Sequence, residues 1–242
     1  MERVCCSLPR LAGVLAVAAL LPYGCNRPPA APPIQRLAVL RFENLSGDAS
    51  ADWMGRAFSE ILTASLAGAP GIVTLPAGRL RAANSALGAR PVSVPGISSE
   101  RTMALAAGAN RAGYGDYSTT GGRLQARLTI EDLETGKMTQ VVSTSGAADV
   151  LAAASGLARR ISPQVLPYGT NNLGALKAWV AALESSDGEA SRQALEQAIA
   201  SDPDFAPPYR ALAEWKMQHQ DRAGAQGLLE QALARGDGIA PL

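Results

Sequence analysis

The chain is short of several residue types, and each shortage removes a class of function. It holds one histidine, His219, so no histidine cluster is available for a metal and no histidine pair for acid–base work. Its three cysteines all fall in the first 25 residues, and none forms a Cys-x-x-Cys pair. Aromatic residues make up 5% of the chain, and much of the 47% apolar fraction is alanine, so its cores should be small. Lysine occurs three times (Lys137, Lys177, Lys216), leaving arginine to carry nearly all positive charge, a bias that reads as a GC-rich genome. The formal net charge is +1, so no overall field draws the chain to nucleic acid. At 18%, charged residues are too few for a wholly disordered chain. The 242 residues allow one large domain or two small ones.

No apolar run approaches the ~20 residues of a membrane-spanning helix. The longest, Leu11–Leu21, follows a segment carrying Arg3 and Arg10 and precedes Pro22. That arrangement matches a secretory signal peptide. Leu21-Pro22-Tyr23-Gly24-Cys25 then resembles a bacterial lipobox, in which a small residue precedes an acylated cysteine. Gly24 and Cys25 fit, whereas Pro22 stands where leucine is usual and Tyr23 is large for its place. Cleavage before Cys25 would remove Cys5 and Cys6 with the leader. A single cysteine in an exported chain cannot close an internal disulfide, which leaves lipidation or a free thiol. Lipidation at Cys25 is the expectation. Asn26–Pro33 holds four prolines in eight residues, an extended stalk of ~25 Å at polyproline rise. Asn26, rather than aspartate, would imply outer-membrane sorting by the enterobacterial rule.

Residues 34–162 read as an α/β domain with a small mixed sheet. Ile34–Phe42 is a strand pattern buried on both faces, and Glu43–Asp48 is a turn. Ser50 or Asp52 is placed to cap a helix over Ala51–Leu66, whose apolar residues recur at helical spacing. Gly68–Gly71 stops that helix, and Ile72–Leu75 is a second strand. Helices are expected at Gly78–Leu87 and Ser98–Ala107, on either side of a Pro91/Pro95 loop. Gly121-Gly122 divides the strands Ala112–Thr119 and Arg123–Asp132. The second alternates, with Leu124, Ala126, Leu128 and Ile130 inward and Arg123, Gln125, Arg127, Thr129 and Glu131 on a wet face. The first is polar and glycine-rich, so it should be short or frayed. Its Gly113-Tyr114-Gly115 lacks the third glycine and following helix of a dinucleotide fingerprint and reads as a strand bend. Glu134–Lys137 turns into a return strand, Met138–Ser143, and Asp149–Ile161 closes the domain as a helix.

Leu37-Ala38-Val39-Leu40-Arg41-Phe42-Glu43-Asn44-Leu45-Ser46-Gly47-Asp48, followed by an amphipathic helix, resembles the opening of the TolB amino-terminal-like domain. Leu124–Lys137 is similar to that family's later hairpin, while Arg41 stands where the family often has proline. The resemblance implies a non-catalytic domain, found in lipoprotein components of envelope machines and often followed by tetratricopeptide repeats.

A repeat does follow. Ala194–Ala200 and Leu228–Ala234 agree at five of seven positions at an offset of 34, the tetratricopeptide period. Pro203 falls where such a unit ends, and Tyr209, Leu212, Ala213, Ala225, Leu229 and Ala232 fit its packing positions. In the earlier unit Gly174–Leu183 is the first helix, and the turn near Ser185–Glu189 is contracted. Residues 171–236 should thus form a helical repeat pair. Two units are fewer than a free-standing array needs, so they should dock on the α/β domain or on a partner.

Catalytic patterns are missing: no Gly-x-Ser-x-Gly elbow and no phosphate loop occur. Glu43 and Asp48 read as turn and capping residues, Asn44-Leu45-Ser46 as turn geometry, and His219 as an exposed helix end. No enzymatic activity, cofactor or metal is expected. Groove positions of the repeat family map onto Arg210, Glu214, Met217 and Gln218, a set suited to an extended peptide, unless some of them pack on the first domain. The expected protein is a periplasmic, membrane-anchored interaction module of a bacterial envelope assembly, with a protein partner and no nucleic acid. The alternative is a lipoprotein regulator of an envelope enzyme such as a peptidoglycan synthase.

Overall fold

β1 (Gln35–Val39) shows why four successive apolar residues need two covered faces. Leu37 and Val39 enter one hydrophobic cluster, while Ala38 and Leu40 enter a second on the opposite side. The computed structural model describes residues 34–86 and 97–235. The leader, Cys25, the Pro-rich tether and the Pro91/Pro95 loop lie outside the described residues.

β1 pairs in parallel with β3 (Ile72–Thr74) on one side and β4 (Arg111–Thr120) on the other. β5 (Arg123–Asp132) and β6 (Met138–Ala147) continue antiparallel, giving the order β3-β1-β4-β5-β6. A two-residue strand that sequence pattern missed, β2 (Glu43–Asn44), adds to β4 in parallel. The sheet is mixed and carries packed helices, as expected.

α1 (Trp53–Leu66) buries Ala57, Phe58, Ile61, Leu62, Ser65 and Leu66, the stripe read from its periodicity. Its cap differs from expectation. Asp48 caps a 3₁₀ turn, Ala49–Ala51, by accepting from the Ser50 amide at 2.9 Å. That turn runs straight into α1, so Asp52 makes no side-chain cap bond and instead accepts from Asn44 Nδ2 at 2.7 Å. Asn44 also accepts from the Ser46 amide at 3.0 Å, which accounts for its place in the turn.

β4 corrects the expectation of a short or frayed strand. It is ten residues long and pairs with β5 throughout. Its polar residues find partners across the ladder: Asp116 faces Arg127, with Oδ2 2.7 Å from Nη2. Its glycines make room rather than a bend. A Cβ on Gly115 would stand 2.0 Å from the Arg127 carbonyl oxygen and 2.5 Å from the Phe42 ring. Phe42 therefore lies against bare backbone, stacked on Phe58 at 4.9 Å. Gly121 and Gly122, both at positive φ, form the two-residue hairpin to β5.

The wet face of β5 ends halfway. Arg123, Gln125 and Arg127 are exposed, but Thr129 and Glu131 are buried. The cover comes from the side of α3 (Ile97–Ala106), whose Arg101 reaches Glu131 Oε1 at 2.8 Å. Together with α2 (Ala77–Ala86), α3 contributes to the second cluster through Leu80 and Ala104, and Ala107 joins them just past its end. α4 (Val150–Ile161), capped by Asp149 accepting from the Ala152 amide at 2.8 Å, packs beside α1 over the first cluster.

Four helices complete the described chain: α5 (Leu173–Glu184), α6 (Gly188–Ser201), α7 (Ala206–Gln218) and α8 (Arg222–Ala234). The α5–α6 turn is short, Ser185–Asp187, with Asp187 capping α6. α6 stops at Ser201, and two prolines open α7. Tyr209, Leu212, Ala213, Ala225 and Ala232 are buried, whereas Leu229 is only half-buried. Ala175, Leu176, Trp179, Val180, Phe205 and Leu212 belong to the same cluster as Leu37, Phe58 and Leu128. The helices are thus docked on the α/β half, the first of the two arrangements expected. Arg41 and Glu184 pair across this junction at 3.0 Å.

Candidate functional site

α7 carries the four sequence-predicted groove residues on its exposed side, spaced along one stripe. Arg210 approaches Glu214 at 3.7 Å, an i,i+4 pair on the helix surface. Glu214 and Gln218 line a cavity of about 270 Å3 between α5, α6 and α7. Arg210 and Met217 stand outside it, with Met217 left 53% exposed. The structure therefore brings two of the four together and leaves two on the rim.

The cavity also takes in residues that sequence reasoning missed: Trp179, Trp215, Leu195 and Arg81. The two tryptophans were the available signal, since the chain has only three, and two of them sit in this helical segment. Trp179 packs edge-on against Phe205, with centroids 6.2 Å apart, and so ties the cavity wall to the main core. Arg81 comes from α2 and lies far away in sequence.

Trp215 is held from several sides. His219, one turn on, stacks over its ring at 3.8 Å and 19°. His219 Nδ1 donates to the Trp215 carbonyl oxygen at 2.8 Å, which assigns the tautomer. The lone histidine is thus an exposed helix-end residue, as expected, with the added task of fixing a tryptophan. On α6, Arg192 places its guanidinium 5.9 Å from the Trp215 ring centroid, a cation–π contact. Arg192 is itself gripped by Glu189, with Nε donating to Oε2 at 2.9 Å, and by Glu196. That grip holds the Glu189 carboxyl down at about 2. The indole Nε1 of Trp215 is buried and has no hydrogen-bond partner among the described residues. The cavity thus offers two indoles, an amide (Gln218), a carboxylate (Glu214) and a guanidinium (Arg81), the mixed surface that grips a peptide backbone with its side chains.

Another depression, about 610 Å3, lies where Tyr168–Asn172 meets Ser201–Asp204. Its polar groups are committed to one another: Thr170 Oγ1 bonds Asp202, and Asn172 Nδ2 donates to the Ser201 carbonyl oxygen at 2.7 Å. It joins two chain segments and offers little to a ligand.

Glu43 is exposed on β2, while Asp48 is held below the usual carboxylate range by its hydrogen bonds with Ser50. Asp48 is a cap, as expected, whereas Glu43 is a strand residue paired with Asp116 of β4 rather than part of a turn. Cys25 lies outside the described residues. Among the described residues no group of three His, Cys, Asp or Glu side chains is placed to hold a metal ion. None of the described helices is long and apolar enough to cross a membrane.

No protein-family model matches the chain, and no curated protein matches it in sequence. Among solved structures it is similar to the C-terminal domain of LpoB from Salmonella enterica, at 17% identity and a TM-score of 0.37. That match covers 49% of this chain and 87% of that one. The LpoB C-terminal domain from Escherichia coli gives 19% identity, a TM-score of 0.36, and coverage of 48% and 84%. Lipoprotein GNA1162 from Neisseria meningitidis gives 18% identity, a TM-score of 0.34, and coverage of 46% and 78%. TM-scores this low do not establish a shared role.

Proposed function

We propose that this protein is an exported, non-enzymatic interaction module of a bacterial envelope assembly. It is lipid-anchored at Cys25, raised on the Asn26–Pro33 stalk, and docks an extended segment of a partner protein in the groove between α5, α6 and α7. The observation that carries this reading is the convergence of Glu214, Gln218, Trp179 and Trp215 on one cavity between three helices. The groove floor is rigid because Trp179 is part of the main core and Trp215 is clamped by His219 and Arg192. A preorganised floor lowers the ordering cost of binding. The 34-residue offset and the buried small residues Ala213 and Ala225 support a tetratricopeptide-like pair as the scaffold. Leader, stalk and α/β half together support a periplasmic location at a membrane surface, and Asn26 favours the outer membrane.

The second reading is a lipoprotein regulator of an envelope enzyme such as a peptidoglycan synthase. The opening motif Leu37–Asp48, of the kind carried by regulatory lipoproteins, is what favours it.

A photo-crosslinking residue at Gln218, introduced in cells, tests the groove. A crosslink to one envelope protein that disappears when Trp215→Ala is added supports docking there. Crosslinking that is unaffected by Trp215→Ala sinks the groove assignment. Adding the purified chain to the captured partner separates the readings, because a changed enzymatic rate selects the regulator. Fatty-acid labelling of wild type against Cys25→Ala tests the anchor, and label retained in the variant removes it.

A further inference from the structure

A second cavity, about 290 Å3, opens where β1 ends. It lies between elements that leave the sheet on opposite faces. The β1–α1–β3 crossover covers the face of Leu37 and Val39, and the connection through α2 and α3 covers the face of Ala38 and Leu40. Strand β1 therefore has neighbours on both sides, reached by crossovers on different faces. In open α/β sheets the crevice at the carboxyl ends of such strands is where ligands bind.

The lining is arginine above and hydrocarbon below. Arg41 follows β1, Arg56 comes from α1 and Arg81 from α2; Leu40, Leu80 and Met103 form the apolar wall. Glu184 serves two of the three arginines, unequally. It pairs with Arg41 Nε at 3.0 Å, while Arg56 Nε stays 3.9 Å away, beyond hydrogen-bond reach. Arg41 is further committed to the Asp52 carbonyl oxygen at 2.9 Å. Arg56 Nε is buried and has no hydrogen-bond partner among the described residues. A buried guanidinium N–H without an acceptor is an unmet demand that an oxyanion satisfies. Two other carboxyls stand nearby, Glu100 in the lining and Glu60 on α1; burial raises both, and the charge of Arg56 opposes that rise in each.

We propose that this cavity binds a small amphiphilic oxyanion, a carboxylate or a phosphate. Arg56 and Arg81 take the anionic head, and Leu40, Leu80 and Met103 take the apolar body. The volume sits near the lower bound of small-molecule pockets, so the ligand is about the size of a short-chain acid. The site is separate in most of its lining from the α5–α7 groove and does not depend on that groove being occupied.

Calorimetric titration of the full chain with hexanoate, hexyl phosphate and 1-hexanol tests it. Either anion should bind at least tenfold more tightly than the alcohol, and the better of the two identifies the head group. Arg56→Gln should weaken the anion at least tenfold and Arg56→Lys by less, because lysine keeps the charge without the fork. Arg81→Gln, at an exposed position, tests the same site if Arg56→Gln does not fold, and a severalfold loss is expected. Arg159→Gln, exposed at the end of α4 and outside the cavity, should change nothing. Equal binding of anion and alcohol, no binding of any probe up to about 10 mM, or unchanged affinity in Arg81→Gln overturns the proposal.

Discussion

Tyr117→Phe separates two consequences of one buried hydroxyl. Tyr117 is fully buried on β4, in tilted contact with Phe58, and its hydroxyl donates to the Ala51 carbonyl oxygen at 2.8 Å. Removing the donor leaves that carbonyl without this bond and should cost about 1–2 kcal/mol at pH 7. Burial, with a smaller contribution from Asp52, pushes the hydroxyl up from 10.0 to about 12. The fold therefore favours the protonated form. Its contribution is complete below pH 10 and is lost as pH rises through 12, a total on the order of 3 kcal/mol. At pH 11 the wild type should already have lost about half of that through this group. Phenylalanine has nothing to titrate, so the gap between wild type and Tyr117→Phe should close almost completely at pH 11. Urea unfolding at pH 7, 9 and 11, followed by far-UV circular dichroism, measures both values. An unchanged m-value would show that the denatured state is not responsible. A gap of the same size at pH 7 and pH 11 would refute the reasoning, since it would mean that the hydroxyl titrates alike in both states.

Three further outcomes are expected. Gly115→Ala forces a Cβ to within 2.0 Å of the Arg127 carbonyl oxygen and against Phe42, so it should destabilise by about 1–3 kcal/mol or more in thermal unfolding; wild-type stability would show that the β4–β5 ladder is misplaced. Asp149→Ala removes the α4 cap and should cost about 0.5–2 kcal/mol, with Asp149→Asn keeping most of it. Phe205→Ala should cost about 3–5 kcal/mol, because the ring is fully buried between Tyr168 and Trp179. Since Phe205 shares a core with Phe58, tryptophan fluorescence and circular dichroism should report one coincident transition, and two separated transitions would contradict the shared core.

Much of the fold was legible because it depends on local spacing. The α1 stripe, the Gly121-Gly122 hairpin, the closing helix near Asp149–Ile161 and the break after Ser201 each follow from residues within one or two turns of the feature. β4 was misread for a physical reason. Its polar and glycine residues weaken a strand in isolation, and the partners that justify them, Arg127 and Phe42, come from elsewhere in the chain. Neither Ser50 nor Asp52 caps α1, because a 3₁₀ turn moves capping upstream to Asp48. Two of the four groove residues could be placed by helical spacing, but spacing says nothing of Arg81, which reaches the groove from α2.

Pattern and composition alone determined an apolar run at Leu11–Leu21, an α/β half and a helical half with a 34-residue internal offset. These are one-dimensional properties, set by periodicity and by the few residues that stop an element. Only the tertiary structure decided that the two halves share a hydrophobic core, that Glu131 is buried beneath Arg101, and that Arg41, Arg56 and Arg81 meet at one cavity. Contacts of this kind join residues tens of positions apart. Their energy comes from desolvation and charge geometry, which exist only once the chain has closed on itself.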